Sequence, residues 1–418
     1  MKQYMKKTIA YYSDCPFFAG CENMLSIFFN SQDIKESFNI LFFYGQSTEY
    51  NEGLKKKAFF NDITYIPLNI WDFETINEKI NHSKLKPLFF PIKVILKYVF
   101  FIRNLLVIWR NLSNRKIDIL HVNNGGYPAS YSCLAAILAA KLAGINKTLM
   151  VVNNIAADYS SIGRKFDYLL DKLVTANTNL FITGSQNALN ALKNTLNLPN
   201  SKLLNIHNGI RIKNPTIEKS EYLKQKGINS TNKTVFGIVA LLVERKGHKY
   251  LLEAHKILID RLGIDKAPLL LIEGSGPLKN ELQTVSNSLG LSEHVFFIKT
   301  EDNIFNFISA LDVFVLSSIC NEDFPNVVLE AMALSKAVIA TNVGGVKEQI
   351  INNETGLIVE PANSVALSLA MQELASNHEK ATSFGVAGKN RFYKHFDYKI
   401  ATNKYLAVYN KMLNKSSN

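Results

Sequence analysis

The chain has 418 residues, a formal net charge of +12 from 47 Lys and Arg against 35 Asp and Glu, and 47% apolar residues. That length exceeds what one hydrophobic core organises comfortably, so two domains are expected, and the composition is that of a globular protein and argues against disorder. The positive balance suits phosphate-bearing substrates or an anionic membrane face. Nucleic acid is disfavoured, because the lysines are spread rather than gathered into an arm and no nucleic-acid motif occurs.

The opening Met1-Lys2-Gln3-Tyr4-Met5-Lys6-Lys7 is basic, but no apolar run follows it. No signal peptide is therefore expected, and the predicted location is cytoplasmic, at most peripheral at the inner face of the cell membrane. Strand candidates in the first half are 8–10, 40–43, 117–122, 148–152, 180–183 and 203–206. Those in the second half are 235–242, 269–272, 295–298, 313–316, 337–340 and 357–359. They are short, rich in Val, Ile, Leu and Phe, and mostly without polar alternation, as befits strands buried on both faces. Helical stretches between them predict parallel sheets wrapped by helices.

Between 89 and 110 lies an apolar stretch interrupted by Lys93, Lys97, Arg103 and Arg110. These charges argue against a spanning helix. Two readings stay open: a basic amphipathic helix lying on an anionic leaflet, or a buried helix with snorkelling lysines. The polar run 213–233 places a domain boundary near residue 212. The spacing of Tyr398, Ala401, Tyr405, Val408, Tyr409 and Met412 predicts a closing helix from about Arg391 to Leu413, with a frayed tail. Cys15, Cys21, Cys133 and Cys320 form no CxxC pair and read as reduced structural thiols. The scattered histidines suggest no metal site.

The strongest chemical signal is Asn321-Glu322-Asp323-Phe324-Pro325-Asn326-Val327-Val328-Leu329-Glu330-Ala331-Met332-Ala333, between two buried-strand patterns. Pro325 suits the first turn of a helix. Glu330 then falls within an otherwise apolar helix, where a carboxylate needs partners. The two hydroxyls of a ribose would satisfy both its oxygens. Glu322 falls at the carboxyl edge of the sheet, where open α/β folds bind ligands.

Two glutamates so spaced, with Leu-Glu-Ala-Met-Ala following, resemble the family 4 retaining glycosyltransferases. The resemblance continues through Thr341-Asn342-Val343-Gly344-Gly345-Val346-Lys347-Glu348, through Gly356-Leu357-Ile358-Val359 and into the closing helix. It covers the second half nearly continuously and the first half thinly. It implies the GT-B fold: two Rossmann-like, doubly wound parallel-sheet α/β domains facing a central cleft. Residues 1–212 would bind acceptor and 213–395 would bind the nucleotide-sugar donor. Residues 396–418 would form a helix crossing back to the first domain.

Residue by residue, the resemblance implies that Glu330 holds the donor ribose and Glu322 positions the transferred sugar. Lys246, in Glu244-Arg245-Lys246-Gly247-His248, matches the phosphate-binding lysine. A fixed cation there would stabilise charge building on a departing nucleoside diphosphate. The family's usual arginine is replaced by Leu241, so Arg245 becomes the candidate substitute. Gly274 and Gly276, in Glu273-Gly274-Ser275-Gly276-Pro277, match a turn lining the base or ribose, although a tight βα turn needs glycine anyway. Backbone N–H groups around Phe324, Asn326 and Val327 would face sugar or phosphate at a helix start. Gly20, after Phe18-Ala19, and Asn208, before Gly209, are further donor candidates.

Acceptor candidates are Asn153 and Asn154, where the family often has a histidine, and Asn124 and Tyr127 in the loop after strand 117–122. The implied function is metal-independent, retaining transfer of a sugar from a nucleotide-diphosphate donor, with no cofactor. The acceptor would be a saccharide or lipid-linked saccharide in cell-surface polysaccharide synthesis. The alternative is a non-catalytic nucleotide-sugar-binding subunit of an assembly complex. An epimerase lacks acid–base residues in these motifs. An oxidoreductase lacks a Gly-x-Gly-x-x-Gly fingerprint followed by an acidic residue.

Overall fold

A computed structural model describes residues 6–15, 18, 20–57, 60–73, 86–231, 233–301 and 303–414, with the side chains of 57, 86–90 and 265 excepted. Ala19, the side chains of 89 and 90, and the tail 415–418 therefore lie outside the described residues. The chain divides into two units, Met1–His207 with Lys399–Asn418, and Asn208–Tyr398.

Among the described residues the first unit carries seven strands: β1 (Lys7–Ser13), β2 (Phe38–Gly45), β3 (Thr64–Leu68), β4 (Ile119–Asn124), β5 (Thr148–Val152), β6 (Leu180–Thr183) and β7 (Leu203–Asn205). Their order is β3-β2-β1-β4-β5-β6-β7, and each neighbouring pair is parallel. The direction of winding reverses between β1 and β4, which opens a crevice at the carboxyl ends of these strands. β4 and β5 are buried at every position, β5 as a mostly apolar run and β4 with His121, Asn123 and Asn124 buried among its apolar residues. β3 had no counterpart among the predicted strands. Its sequence Thr-Tyr-Ile-Pro-Leu alternates in burial and contains Pro67, which is tolerated on an edge.

The second unit carries β8 (Val235–Val239), β9 (Leu269–Glu273), β10 (Val295–Ile298), β11 (Val313–Leu316), β12 (Ala337–Thr341) and β13 (Leu357–Val359), in the order β10-β9-β8-β11-β12-β13. All of these pairs are parallel. β8 stops before the predicted end at 242, because the backbone turns where Val243 N–H donates to the Leu241 carbonyl at 2.9 Å. The polar run after residue 213 contains the helix Lys219–Gln225, which buries Tyr222 and Leu223 in this unit's core.

The predicted closing helix is broken in two, His378–His395 and Tyr398–Asn414. The break lies where Phe396 C=O accepts from Ile210 N–H at 3.1 Å and Tyr398 N–H donates to Ile210 C=O at 3.2 Å. The last helix packs within the first unit: Tyr405 meets Phe28 edge-on, and Tyr409 Oη lies 3.1 Å from Tyr11 Oη and 2.7 Å from His121 Nδ1. Burial holds the His121 imidazole neutral, with its pKa pushed down to about 3.

The stretch 89–110 belongs to one long helix, Lys86–Ser113. Its predicted cationic face is turned largely inward around Lys97, while Arg110 stays exposed. Lys97 is 7% exposed and donates to Asp167 Oδ1 at 2.5 Å, while Arg103 stacks over Trp71 at 4.6 Å. Asn104 bridges the Trp71 backbone, accepting from its N–H at 2.9 Å and donating to its C=O at 2.9 Å. Asp167 also takes Arg164 at 3.1 Å and Tyr98 at 3.0 Å, and Arg164 reaches on to Asp171 at 2.8 Å. The inward face thus exists because two buried carboxylates demand cations. The opposite face is apolar and exposed.

Candidate functional site

In the second unit the predicted residues converge at the carboxyl edge of the sheet. Glu322 Oε1 accepts from Arg245 Nη1 at 3.2 Å, from Ser318 Oγ at 2.8 Å, and from Lys246 Nζ. Glu322 and Lys246 are largely buried, with side chains 9% and 12% exposed. Desolvation lowers the Lys246 pKa, and the neighbouring Glu322 carboxylate opposes that shift. Two cations and a hydroxyl therefore share one carboxylate oxygen.

The backbone explains why these groups meet. Gly247 has φ of +66°, and a Cβ there would lie 2.0 Å from the Ser317 carbonyl oxygen. Only glycine permits this approach, which carries Lys246 under the end of β11. Ser317 Oγ donates to Lys246 C=O at 2.9 Å, and Ile319 N–H donates to Arg245 C=O at 2.8 Å. Gly344, at φ of +52°, repeats the device from the other side. A Cβ there would lie 2.0 Å from Glu322 C=O, and Gly345 N–H donates to Asp323 C=O at 2.6 Å.

The helix Asn326–Ala333 follows, with Pro325 as its N-cap residue. Glu330 is half-buried in its second turn, between the buried Leu329 and Ala331. Phe324 is buried edge-on to Phe396 at 5.6 Å, and Val327 is half-buried. Asn208 Nδ2 donates to Phe324 C=O at 3.4 Å and to Asn326 Oδ1 at 3.2 Å, so Asn208 braces this helix start. Gly274 and Gly276 hold the turn after β9 against the 240–242 loop, where Cβ atoms would come within 1.9 Å of Ala240 C=O and 2.5 Å of Leu242 C=O. Leu241 is exposed, and its carbonyl accepts from His248 Nε2 at 3.1 Å. Burial pushes the His248 pKa down to about 4, so this histidine is a neutral brace near neutral pH.

Sequence reasoning passed over two residues here. Ser318, directly after β11, completes the set around Glu322, and a hydroxyl between a buried strand and an acidic turn was the available signal. Glu273 ends β9 with 1% exposure, accepts from Glu301 N–H at 3.0 Å, and has no hydrogen-bond partner on Oε2. Burial pushes its carboxyl pKa up to about 7.

In the first unit the candidates separate. Gly20 is exposed at the start of the helix Gly20–Asn30, with no atom near a would-be Cβ. Asn153 Nδ2 donates to Asn123 Oδ1 at 2.8 Å and Asn124 C=O at 2.9 Å, so both amide hydrogens are committed to the sheet edge. Asn154 Oδ1 accepts from Ile155 N–H at 2.8 Å. Asn124 closes its own loop, donating to Pro128 C=O at 2.9 Å and accepting from Ser130 N–H at 3.2 Å. Tyr127 departs from the expected acceptor contact: it is 1% exposed and donates to Asp171 Oδ1 at 3.2 Å, so its hydroxyl is spent in the buried ionic network.

A cavity of about 900 Å³ lies beside this loop. Trp71, Phe73, Phe100 and Phe101 supply apolar lining, and Asp14, Lys97, Asn124 and Arg164 supply polar lining. Asp14 accepts from Ser130 Oγ at 3.2 Å and from Ser132 Oγ, and burial raises its pKa. Its place on the cavity wall was not legible before the loops were assembled.

A family model described as glycosyl transferases group 1 matches residues 218–391. The capsular polysaccharide biosynthesis glycosyltransferase CapM of Staphylococcus aureus is 31% identical over 184 residues, 44% of this chain and 47% of that protein. The alignment thus spans about half the length of this relative. A Campylobacter jejuni protein named N-acetylgalactosamine-N,N'-diacetylbacillosaminyl-diphospho-undecaprenol 4-alpha-N-acetylgalactosaminyltransferase is 27% identical over 61% of this chain and 67% of its own. The solved structure of Anabaena HepE in complex with UDP superposes with a TM-score of 0.74 at 16% identity, covering 97% of this chain and 100% of that one. That likeness concerns the fold. Two parallel-sheet Rossmann-like units give the chain the GT-B fold, and residues 218–391 of its second unit match the glycosyl transferases group 1 model.

Proposed function

We propose that the protein is a retaining glycosyltransferase that takes a sugar from a nucleotide-diphosphate donor seated in the second unit. The observation that carries this reading is the junction of Lys246, Arg245 and Ser318 on Glu322, beside the helix that presents Glu330. Glu330 holds the ribose hydroxyls, and Glu322 orients the transferred sugar. Lys246 and Arg245 meet the charge that grows on the leaving diphosphate. Transfer then needs neither a metal nor a cofactor. The bond from the anomeric carbon to the diphosphate oxygen breaks, and a new bond forms to the acceptor oxygen on the same face. The acceptor proton passes to an oxygen of the departing diphosphate. Arg245 does the work of the arginine that Leu241 replaces.

The acceptor binds the first-unit cavity, where aromatic walls suit sugar rings and Asp14 suits a hydroxyl. A saccharide or lipid-linked saccharide of cell-surface polysaccharide synthesis is the favoured class. The printed names of the capsular and diphospho-undecaprenol relatives support that choice. The test is a screen of purified protein against nucleotide-diphosphate sugars without added metal, with Glu330→Ala as control. Binding of one donor with slow hydrolysis, lost in the variant, supports the reading. Donor binding without turnover on any saccharide acceptor would favour a non-catalytic sugar-nucleotide-binding subunit, and binding unaffected by the substitution would refute the site.

A further inference from the structure

Helix Lys86–Ser113 carries Ile92, Ile95, Val99, Ile102 and Leu106 on one exposed stripe, with Ile95 61% exposed. Their spacing of three and four residues sets them opposite Lys97, Phe101 and Asn104, which face inward. A second stripe runs through the helices Ile162–Phe166 and Tyr168–Asn177 as Ile162, Phe166, Leu169 and Leu173, with Leu169 74% exposed. The two stripes meet at Tyr98, whose hydroxyl donates to Phe166 C=O at 3.0 Å. A monomer seldom leaves so much contiguous apolar surface exposed without a use for it.

The charges around this surface identify the occupant. Asp167 and Asp171 are buried beneath it and are neutralised internally by Lys97 and Arg164. Helix 86–113 contains no acidic residue. Among the described side chains, the exposed charges on these helices are the cations Arg110, Lys165 and Lys172. An apolar face rimmed by cations over an internally neutral network matches the headgroup and acyl boundary of an anionic bilayer. No helix among the described residues is long and apolar enough to cross a membrane.

We propose that this two-helix face of the first unit docks on an anionic lipid bilayer, inserting Ile95, Ile102, Phe166 and Leu169 between headgroups. Lys97 holds the helix from within, and Arg103 is engaged by Trp71 away from the apolar stripe. The reading stands apart from which sugar is moved, because binding is measured with no donor or acceptor present.

The experiment is co-sedimentation of the full chain with phosphatidylcholine vesicles, with and without phosphatidylglycerol. Wild type should partition to the phosphatidylglycerol vesicles and weaken with added salt. Ile95→Asp combined with Leu169→Asp should lower partitioning about tenfold or more, whereas Ile95→Val with Leu169→Met should bind as wild type. Lys165→Glu with Lys172→Glu should reduce binding only to the anionic vesicles, which provides an independent test if the apolar-to-acid variant is poorly folded. An unchanged melting temperature verifies folding. Equal binding by wild type and both disruptive variants would overturn the proposal. So would a dimer in sedimentation velocity that Leu169→Asp dissociates, since the face would then belong to a second copy.

Discussion

The two units share a doubly wound parallel sheet but place their buried charges differently. In the second unit Lys246, Arg245 and Glu322 lie at the carboxyl edge of the strands, tied to loops that glycine brings within van der Waals contact. In the first unit Lys97, Arg164, Asp167 and Asp171 lie largely buried beneath two helices and are paired with one another. One arrangement suits chemistry on an anionic ligand. The other fixes helices so that their far faces can be apolar. A buried ion pair therefore carries no function of its own; its position against the sheet edge decides which task it serves.

Asp167→Ala strands Lys97 and Arg164 without a shared carboxylate and should destabilise the first unit by about 3 to 5 kcal/mol. A lowered melting transition with donor binding retained would fit, and an unchanged transition would deny the network its structural role. In the second unit, Glu330→Ala and Lys246→Ala should each reduce transfer by about 100-fold or more while leaving thermal stability close to wild type. A smaller effect belongs to Arg245: its replacement by Ala should lower transfer about tenfold, and Leu241→Arg in that background should restore part of the rate. If Leu241→Arg restores nothing, the guanidinium is not acting on the diphosphate.

The mildest effect concerns Glu273. Its carboxyl is held near pKa 7 in the fold against an ordinary value of 4.5, so the folded state binds the proton more tightly than the unfolded chain. Stability from this group is therefore greatest at low pH and declines as pH rises from about 4.5 through 7. Glu273→Gln should flatten that slope in denaturant titrations at acidic and neutral pH. A variant with the wild-type slope would place the titrating group elsewhere.

The sequence announced most of the second unit, because its candidate site sits in contiguous motifs: Glu322 lies in the turn that leads into the helix of Glu330, and Lys246 follows soon after its strand. Strands with unbroken apolar runs were equally readable. β3 was not, since an edge strand need not be apolar on both faces. The 89–110 helix shows a deeper limit. Periodicity revealed two faces but not which one turns inward, because the deciding partner, Asp167, is 70 residues away from Lys97. The place of Tyr127 was hidden for the same reason, its hydroxyl being bonded to the distant Asp171. Ser318 and Asp14 gained meaning only when loops from separate crossovers came together.

The claim that the Lys246 loop seats the donor diphosphate is tested most directly by calorimetric titration of wild type and Lys246→Ala with nucleosides and nucleoside diphosphates. The variant should lose about tenfold or more in affinity for the preferred diphosphate while its affinity for the nucleoside stays unchanged. Equal diphosphate affinity in the two proteins would contradict it and move the phosphate site away from this loop.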